Sequence, residues 1–373
     1  MMLRRATPFW LVAVLLVALA GCGGGSGSSS GSGSGSGSSH LAYVSLPANN
    51  GIVGFRIDNG SGSFTSIVGS PFPAGNSPGA MLLSRSNQFL YVVNRTEDTV
   101  SLFKIDQEAG ALTEVLPRST TGVTPMAMAM TTGGDRLFVL NQLSGSISVF
   151  SIDTASGKLA AIGTPFPTAP NPVALGVTPS GKFLYVVNSN LALVFAYAVS
   201  EAGALQQVGA PIPVGAGPFA IAVDPNGKFV YVANTIDDTV SILSINAATG
   251  ALTEVTGSPF DTGTAGTTTS PISIVVSSSG QYIFIANHAT SNMTAFSIDS
   301  TTGFPTEVAG SPFGASASPV LLVNDPDGKF IYVLGQSSTF VSQLAVDPKT
   351  GVVSTTLQSP STTTTPVGMA VGK

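Results

Sequence analysis

The chain has very little of what most catalytic and metal-binding proteins use. Its 373 residues include one cysteine, one tryptophan, two histidines and only 9% charged side chains. A single cysteine excludes any internal disulfide. Two histidines and that cysteine cannot supply a His₃ or Cys₂His zinc site, so no metal or cofactor is expected. Long apolar runs are also missing. The longest, Phe9 to Ala20, is twelve residues, too short to span a bilayer. What remains is 43% hydrophobic with 43 glycines and 25 prolines, a composition suited to a large core cut by many tight turns.

The short apolar run follows Arg4 and Arg5, as the h-region of an export signal follows its basic n-region. It ends in Leu19-Ala20-Gly21-Cys22, which resembles the lipobox of bacterial lipoproteins. That resemblance implies cleavage before Cys22, acylation of Cys22 and an extracytoplasmic protein held at the envelope bilayer, at the outer membrane if the cell has two. Residues 1–21 are thus expected to be a signal peptide. Residues 22–39 are the lipidated cysteine and a tether of only Gly and Ser, with an r.m.s. reach of roughly 20–25 Å. Without Arg4 and Arg5 the balance is 12 basic against 19 acidic side chains, about −7. Such a charge makes nucleic acid an unsuitable partner.

Residues 40–373 are internally repetitive. Tyr91-Val-Val-Asn94, Phe138-Val-Leu-Asn141, Tyr185-Val-Val-Asn188, Tyr231-Val-Ala-Asn234 and Phe284-Ile-Ala-Asn287 are one motif, with weaker copies at Tyr43 and Tyr332. The seven copies stand 46 to 53 residues apart. Thirteen residues before each of the last six stands a proline that opens an apolar run: Pro78, Pro125, Pro172, Pro218, Pro271 and Pro319. Turns such as "DPNGK" (224–228) fit between these two runs as a hairpin, because Pro presets one φ and Gly accepts the left-handed position. A third strand ("DTVSILSIN", 238–246) and a fourth ("GALTEV", 250–255) complete each unit. Four strands per repeat without a helical period predict an all-β, seven-bladed β-propeller. The Tyr43 copy lacks its proline strand, and the terminal Pro366 strand lacks its aromatic partner. The C-terminal strand is therefore expected to join the N-terminal blade and close the ring. Such a propeller is expected to be a monomer.

At "YVANTIDDTVSILSINAATGAL" (231–252) the repeat resembles the YVTN family and the seven-bladed lactonase-like propellers, the group that includes bacterial 6-phosphogluconolactonase. The resemblance covers residues 41–373 and rests on scaffold motifs. It implies the fold, and as activity the hydrolysis of lactones by His, Arg and Glu around the channel. Yet the inner strands carry no His, Lys, Arg, Asp or Glu over the six residues from each proline, so those positions do not transfer by motif.

Repetition sorts the remaining polar residues. Most acids fall at third-strand ends (Asp58, Asp106, Asp153, Asp299, Asp347), in hairpin turns, or at the outer Glu114, Glu254 and Glu307. Most bases lie in turns of the opposite face, and His40 falls at the tether boundary. The loop face keeps Arg95, Glu97, Asp98, Arg118, Asp237, Asp238, Asp261 and His288. Of these, Arg95, Glu97, Arg118 and His288 are the catalytic candidates, able to polarise a carbonyl or activate water. Asp98 and Asp238 share the "DTVS" context of a turn. The recurring Asn94, Asn141, Asn188, Asn234 and Asn287 read as turn-capping amides, or as a ring facing a ligand together with Asp237. The expected function is a binding platform for a small polar ligand or protein on the loop face; lactone hydrolysis is the alternative.

Overall fold

Six of the seven inner strands begin at their proline because that position is the first residue of an edge strand, where a missing N–H interrupts no ladder. The computed structural model describes residues 39–373 apart from Ala265. The leader, Cys22 and nearly all of the tether lie outside the described residues. The inner strands are Pro78–Leu83, Pro125–Met130, Pro172–Val177, Pro218–Val223, Pro271–Val276 and Pro319–Asn324. The residue before each proline turns left-handed, with φ from +46° at Ser318 to +63° at Gly217. Its carbonyl accepts the backbone N–H of the first residue beyond the second strand. Arg95, Gln142, Thr235, His288 and Gln336 are all held this way, at 2.9–3.1 Å. The turn thus fixes one residue in each of these five blades at the top of the inner strand.

Seven antiparallel sheets form the ring. In blade 1 the seventh inner strand, Gly368–Gly372, pairs with Ser39–Leu46 from Ser45 opposite Gly368 to Leu41 opposite Gly372. Gly51–Asp58 and Phe64–Ser66 complete that blade. The two chain ends do build one shared sheet, as the incomplete repeats require. The outermost strand is continuous in blade 2 (Leu112–Thr120) and blade 7 (Val353–Gln358), and split into two short pieces in the other five.

The second strands are the most enclosed and explain the aromatic of the repeat. Tyr43, Tyr91, Tyr185 and Tyr231 are fully buried, and each donates its hydroxyl to a glycine carbonyl of the next blade, at Gly110, Gly157, Gly250 and Gly303 (2.8–3.1 Å). Burial pushes these phenols far above their ordinary pKa, so they remain donors. Gly250 shows why the acceptor is glycine. Its φ is +75°, and a Cβ there would lie 2.2 Å from the Phe183 ring. Each "TG" or "AG" turn is therefore a contact between blades.

The third-strand aspartates cap the following turns. Asp106 Oδ1, for example, accepts from the N–H groups of Glu108 (2.9 Å) and Ala109 (2.8 Å). Backbone or serine hydrogen bonds hold Asp58, Asp106, Asp153, Asp299 and Asp347 below the ordinary value of 3.8. A folded pKa below the unfolded one contributes stability above the unfolded value and loses it as pH falls. The melting temperature is therefore expected to drop from about pH 4 downward. Asn246, which accepts the same two bonds in blade 5, shows that a neutral amide can serve. Replacing all five aspartates by Asn should flatten the acid limb of a melting-temperature profile. An unchanged limb would assign acid sensitivity to other groups.

One residue departs from its expected place. His40, read from sequence as the tether boundary, is the second residue of strand Ser39–Leu46 and is 3% exposed. Its Nδ1 lies 3.0 Å from Asp325 Oδ1 and its Nε2 3.2 Å from Asp327 Oδ2, in the first hairpin turn of blade 7. Sequence reasoning saw a polar residue beside a Gly/Ser run; packing gives it two carboxylates across the ring closure.

Candidate functional site

The residues fixed at the tops of the inner strands are Arg95 in blade 2, Gln142 in blade 3, Thr235 in blade 5, His288 in blade 6 and Gln336 in blade 7. Two reach over the neighbouring blade's inner strand: Thr235 Oγ1 donates to the Pro271 carbonyl at 2.7 Å, and His288 Nδ1 lies 3.2 Å from the Pro319 carbonyl. The structure thus puts Arg95 and His288 in equivalent positions, on opposite sides of one polar ring at the channel mouth. A carbonyl only accepts, so His288 Nδ1 carries the proton, and Nε2 of the neutral ring keeps a lone pair.

Arg95 differs from the rest of the ring in its seat. After the inner-strand proline, blade 2 carries Gly79 where the other blades carry Met126, Val173, Phe219, Ile272, Val320 and Val367. A Cβ on Gly79 would lie 3.1 Å from Arg95 Cδ and 3.3 Å from Cγ, so the arginine stem occupies the notch left by the missing side chain. Its Nε is enclosed without a hydrogen-bond partner. Among the described residues the guanidinium has no ion pair either. Burial lowers its pKa, the mark of a cation held partly out of water without a counter-charge. The chemistry such a group offers is bidentate binding of a carboxylate or another planar anion.

Arg118 is the opposite case. It lies within the outer strand of blade 2, not in the loop expected from the sequence. Its Nη1 is 2.6 Å from Glu97 Oε2, its Nε 2.7 Å from Glu114 Oε1 and its Nη2 3.1 Å from Glu114 Oε2. Ser101 also donates to Glu114 Oε1 at 2.6 Å and itself accepts from Asn94 Nδ2 at 2.9 Å. Burial pushes Glu114 up, but the bonds from Arg118 and Ser101 prevail and hold it below its usual range. The Glu114 hydrogen bond raises Arg118 in turn. One guanidinium shared by two carboxylates leaves a net negative cluster with little donor capacity for a substrate. Sequence brought Glu97 and Arg118 together but assigned Glu114 to the scaffold; the unbroken outer strand of blade 2 is what places it here.

The recurring asparagines are 0–1% exposed. In blades 2, 3 and 5 the amide nitrogens of Asn94, Asn141 and Asn234 each donate to two third-strand hydroxyls. Asn287 donates to Asn292 Oδ1 and Thr294 Oγ1, and Asn188 to the Pro170 carbonyl. Their amide nitrogens are thus taken up by internal, turn-holding bonds, while Oδ1 of Asn94, Asn141, Asn234 and Asn287 is enclosed without a hydrogen-bond partner. Asp237 is exposed and accepts from Ala216 N–H at 2.6 Å, while Asp98 and Asp238, both left-handed, accept N–H groups leading into the next inner strand. No group of three or more His, Cys, Asp or Glu among the described residues is arranged to hold a metal ion.

The description "Lactonase, 7-bladed beta-propeller" matches residues 36–176 and 168–370. The chain belongs to this lactonase family. No curated protein matches it. Among solved structures, this lactonase-family propeller is similar to the periplasmic gluconolactonase PpgL of Pseudomonas aeruginosa, with 20% identity, a TM-score of 0.77, and 90% of this chain and 99% of that one covered. It is also similar to a candidate 6-phosphogluconolactonase of Bacteroides fragilis, with 22% identity, TM-score 0.77, and 92% and 100% covered. A protein from Lactobacillus plantarum gives 19%, 0.76, 90% and 99%. At these identities the likeness is one of fold, so the site rests on this lactonase-family chain's own residues.

Proposed function

We propose that this lactonase-family propeller is exported, lipid-anchored through Cys22, and binds a small organic anion at its channel mouth. The observation that carries the reading is Arg95, a partly desolvated cation without a partner, seated in a notch that only blade 2 provides. Gln142 and Gln336 on the same ring supply amides for further polar contacts. The anchor reading rests on Leu19-Ala20-Gly21-Cys22 and fits the attachment geometry. Ser39 stands opposite Asp58, at the end of blade 1 away from the mouth, so a tethered propeller presents its mouth away from the bilayer.

The test is calorimetric titration of the full chain with a panel of carboxylates, beside Arg95→Gln. A charge-assisted pair of this kind contributes about 1.5–3 kcal/mol, so the substitution is expected to weaken binding by about 10- to 150-fold. Equal affinities would remove Arg95 from the site. Lactone hydrolysis is the second reading, favoured by the His288 tautomer, which leaves Nε2 free to take a proton from water. It requires proton release from lactones that His288→Gln abolishes.

A further inference from the structure

We infer that the mouth takes an amphiphilic anion, a medium-chain aliphatic carboxylate, with its headgroup at Arg95 and its chain lying across blades 3 to 5. The inference rests on the anion reading of Arg95 and adds the ligand's class. Four aliphatic side chains stand in water on the loops of these three consecutive blades: Val123 (47% exposed) and Leu143 (68%) in blade 3, Leu191 (51%) in blade 4 and Ile236 (73%) in blade 5. The Val123 and Leu143 loops are tied together, with Val123 N–H donating to Ser144 Oγ at 3.0 Å. The matching loops of blades 2 and 6 hold no large apolar residue, and Phe340 of blade 7 lies off this arc, beyond blade 6. Isolated exposed aliphatics are ordinary on a protein surface. A run of them over neighbouring loops, beginning beside an unpaired cation, is a binding surface.

Charge gives the arc a direction. The second-to-third loops of blades 3 and 4, residues 142–145 and 189–192, carry no charged side chain. In the blade 2 loop Glu97 is paired with Arg118 and Asp98 accepts the Thr124 N–H, and beyond that loop the next second-to-third loop with charges is that of blade 5, with Asp237 and Asp238. An unpaired cation at one end, beside carboxylates already bonded within the protein, with aliphatics between and the two carboxylates of blade 5 at the other end, favours an anion whose head points to blade 2. They repel the reverse orientation. The absence of Trp and Tyr from these loops makes them a poor platform for stacking sugar rings.

The experiment titrates the full chain with acetate, hexanoate, octanoate and octanol, using wild type, Arg95→Gln and the triple variant Leu143→Ser/Leu191→Ser/Ile236→Ser. These three side chains are exposed, so the triple variant is expected to keep the wild-type melting temperature. A fully buried methylene is worth a factor of about four, and a half-covered chain less, so octanoate is expected to bind at least tenfold more tightly than acetate. The triple variant should lose that gain and keep the acetate affinity. Arg95→Gln should bring octanoate down to the level of octanol. Acetate and octanoate binding equally overturns the inference and leaves the anion reading standing. Octanol binding as well as octanoate to wild type overturns it as well, by showing an apolar surface without a headgroup site. Failure of every carboxylate to bind ends both readings.

Discussion

A chain ending at Thr365 is expected to lose its cooperative thermal transition, or to melt more than about 10 °C lower. The missing residues include the whole inner strand of blade 1. Met369 and Ala370 are fully enclosed, and Met369 belongs to one apolar cluster with Ala42, Ala80, Met128 and Leu321, from blades 1, 2, 3 and 7. Burying the methionine alone is worth about 1.5–3 kcal/mol. The five residues paired with Leu41 to Ser45 add backbone bonds of about 1 kcal/mol each. Together these approach a typical total stability of about 5–15 kcal/mol. The truncation also leaves Ser39–Leu46 as an open edge beside an apolar gap, so aggregation on heating should accompany the loss. Removing Lys373 alone, whose ion pair with Asp327 is exposed on the lysine side, should change little. A truncated chain that melts with wild type would mean that the ring needs no closing strand.

The fold was legible because every blade repeats the same solution. Proline at the inner edge, aromatic at the interface between blades, glycine under the neighbouring ring and aspartate at the turn each recur at fixed spacing, and each has one physical cause. The site was legible only in part, because it lies where the repeat is broken. Gly79 breaks the run of bulky residues after the proline, and that single substitution makes the notch for Arg95. A glycine in sequence does not announce which neighbour will fill its space. Arg118 looked equally available, but its carboxylates depend on an outer strand that stays continuous in blade 2 and is split in five other blades. Charge inventory finds the cations; only packing separates the neutralised one from the free one. The asparagines show the converse, since a recurrent polar residue can be wholly internal when third-strand hydroxyls meet it.

His40→Ala is the second substitution expected to act strongly, although nothing in the repeat marks the position. Asp325 is 2% exposed, and the imidazole is one of its few side-chain partners, beside the Tyr332 hydroxyl at 3.3 Å. Removing one member of a buried pair costs about 3–5 kcal/mol when the remaining charge has no other contact. Here Asp325 Oδ2 keeps the N–H groups of Asp327 (3.1 Å) and Lys329 (3.2 Å), so about 2–4 kcal/mol is expected. In a propeller of this length that corresponds to a melting temperature lower by about 3–8 °C. Asp325→Asn should cost less than His40→Ala, because it removes the charge that burial penalises while keeping an acceptor for the ring. The reverse order would place the importance of the turn in its carboxylate and not in the histidine. The location makes the loss consequential, since His40 ties blade 1 to blade 7 at the junction where the ring closes. Closure then has two parts, a strand pairing toward the channel and a histidine between two aspartates at the tether end. Loss of either should lower the temperature at which the ring opens.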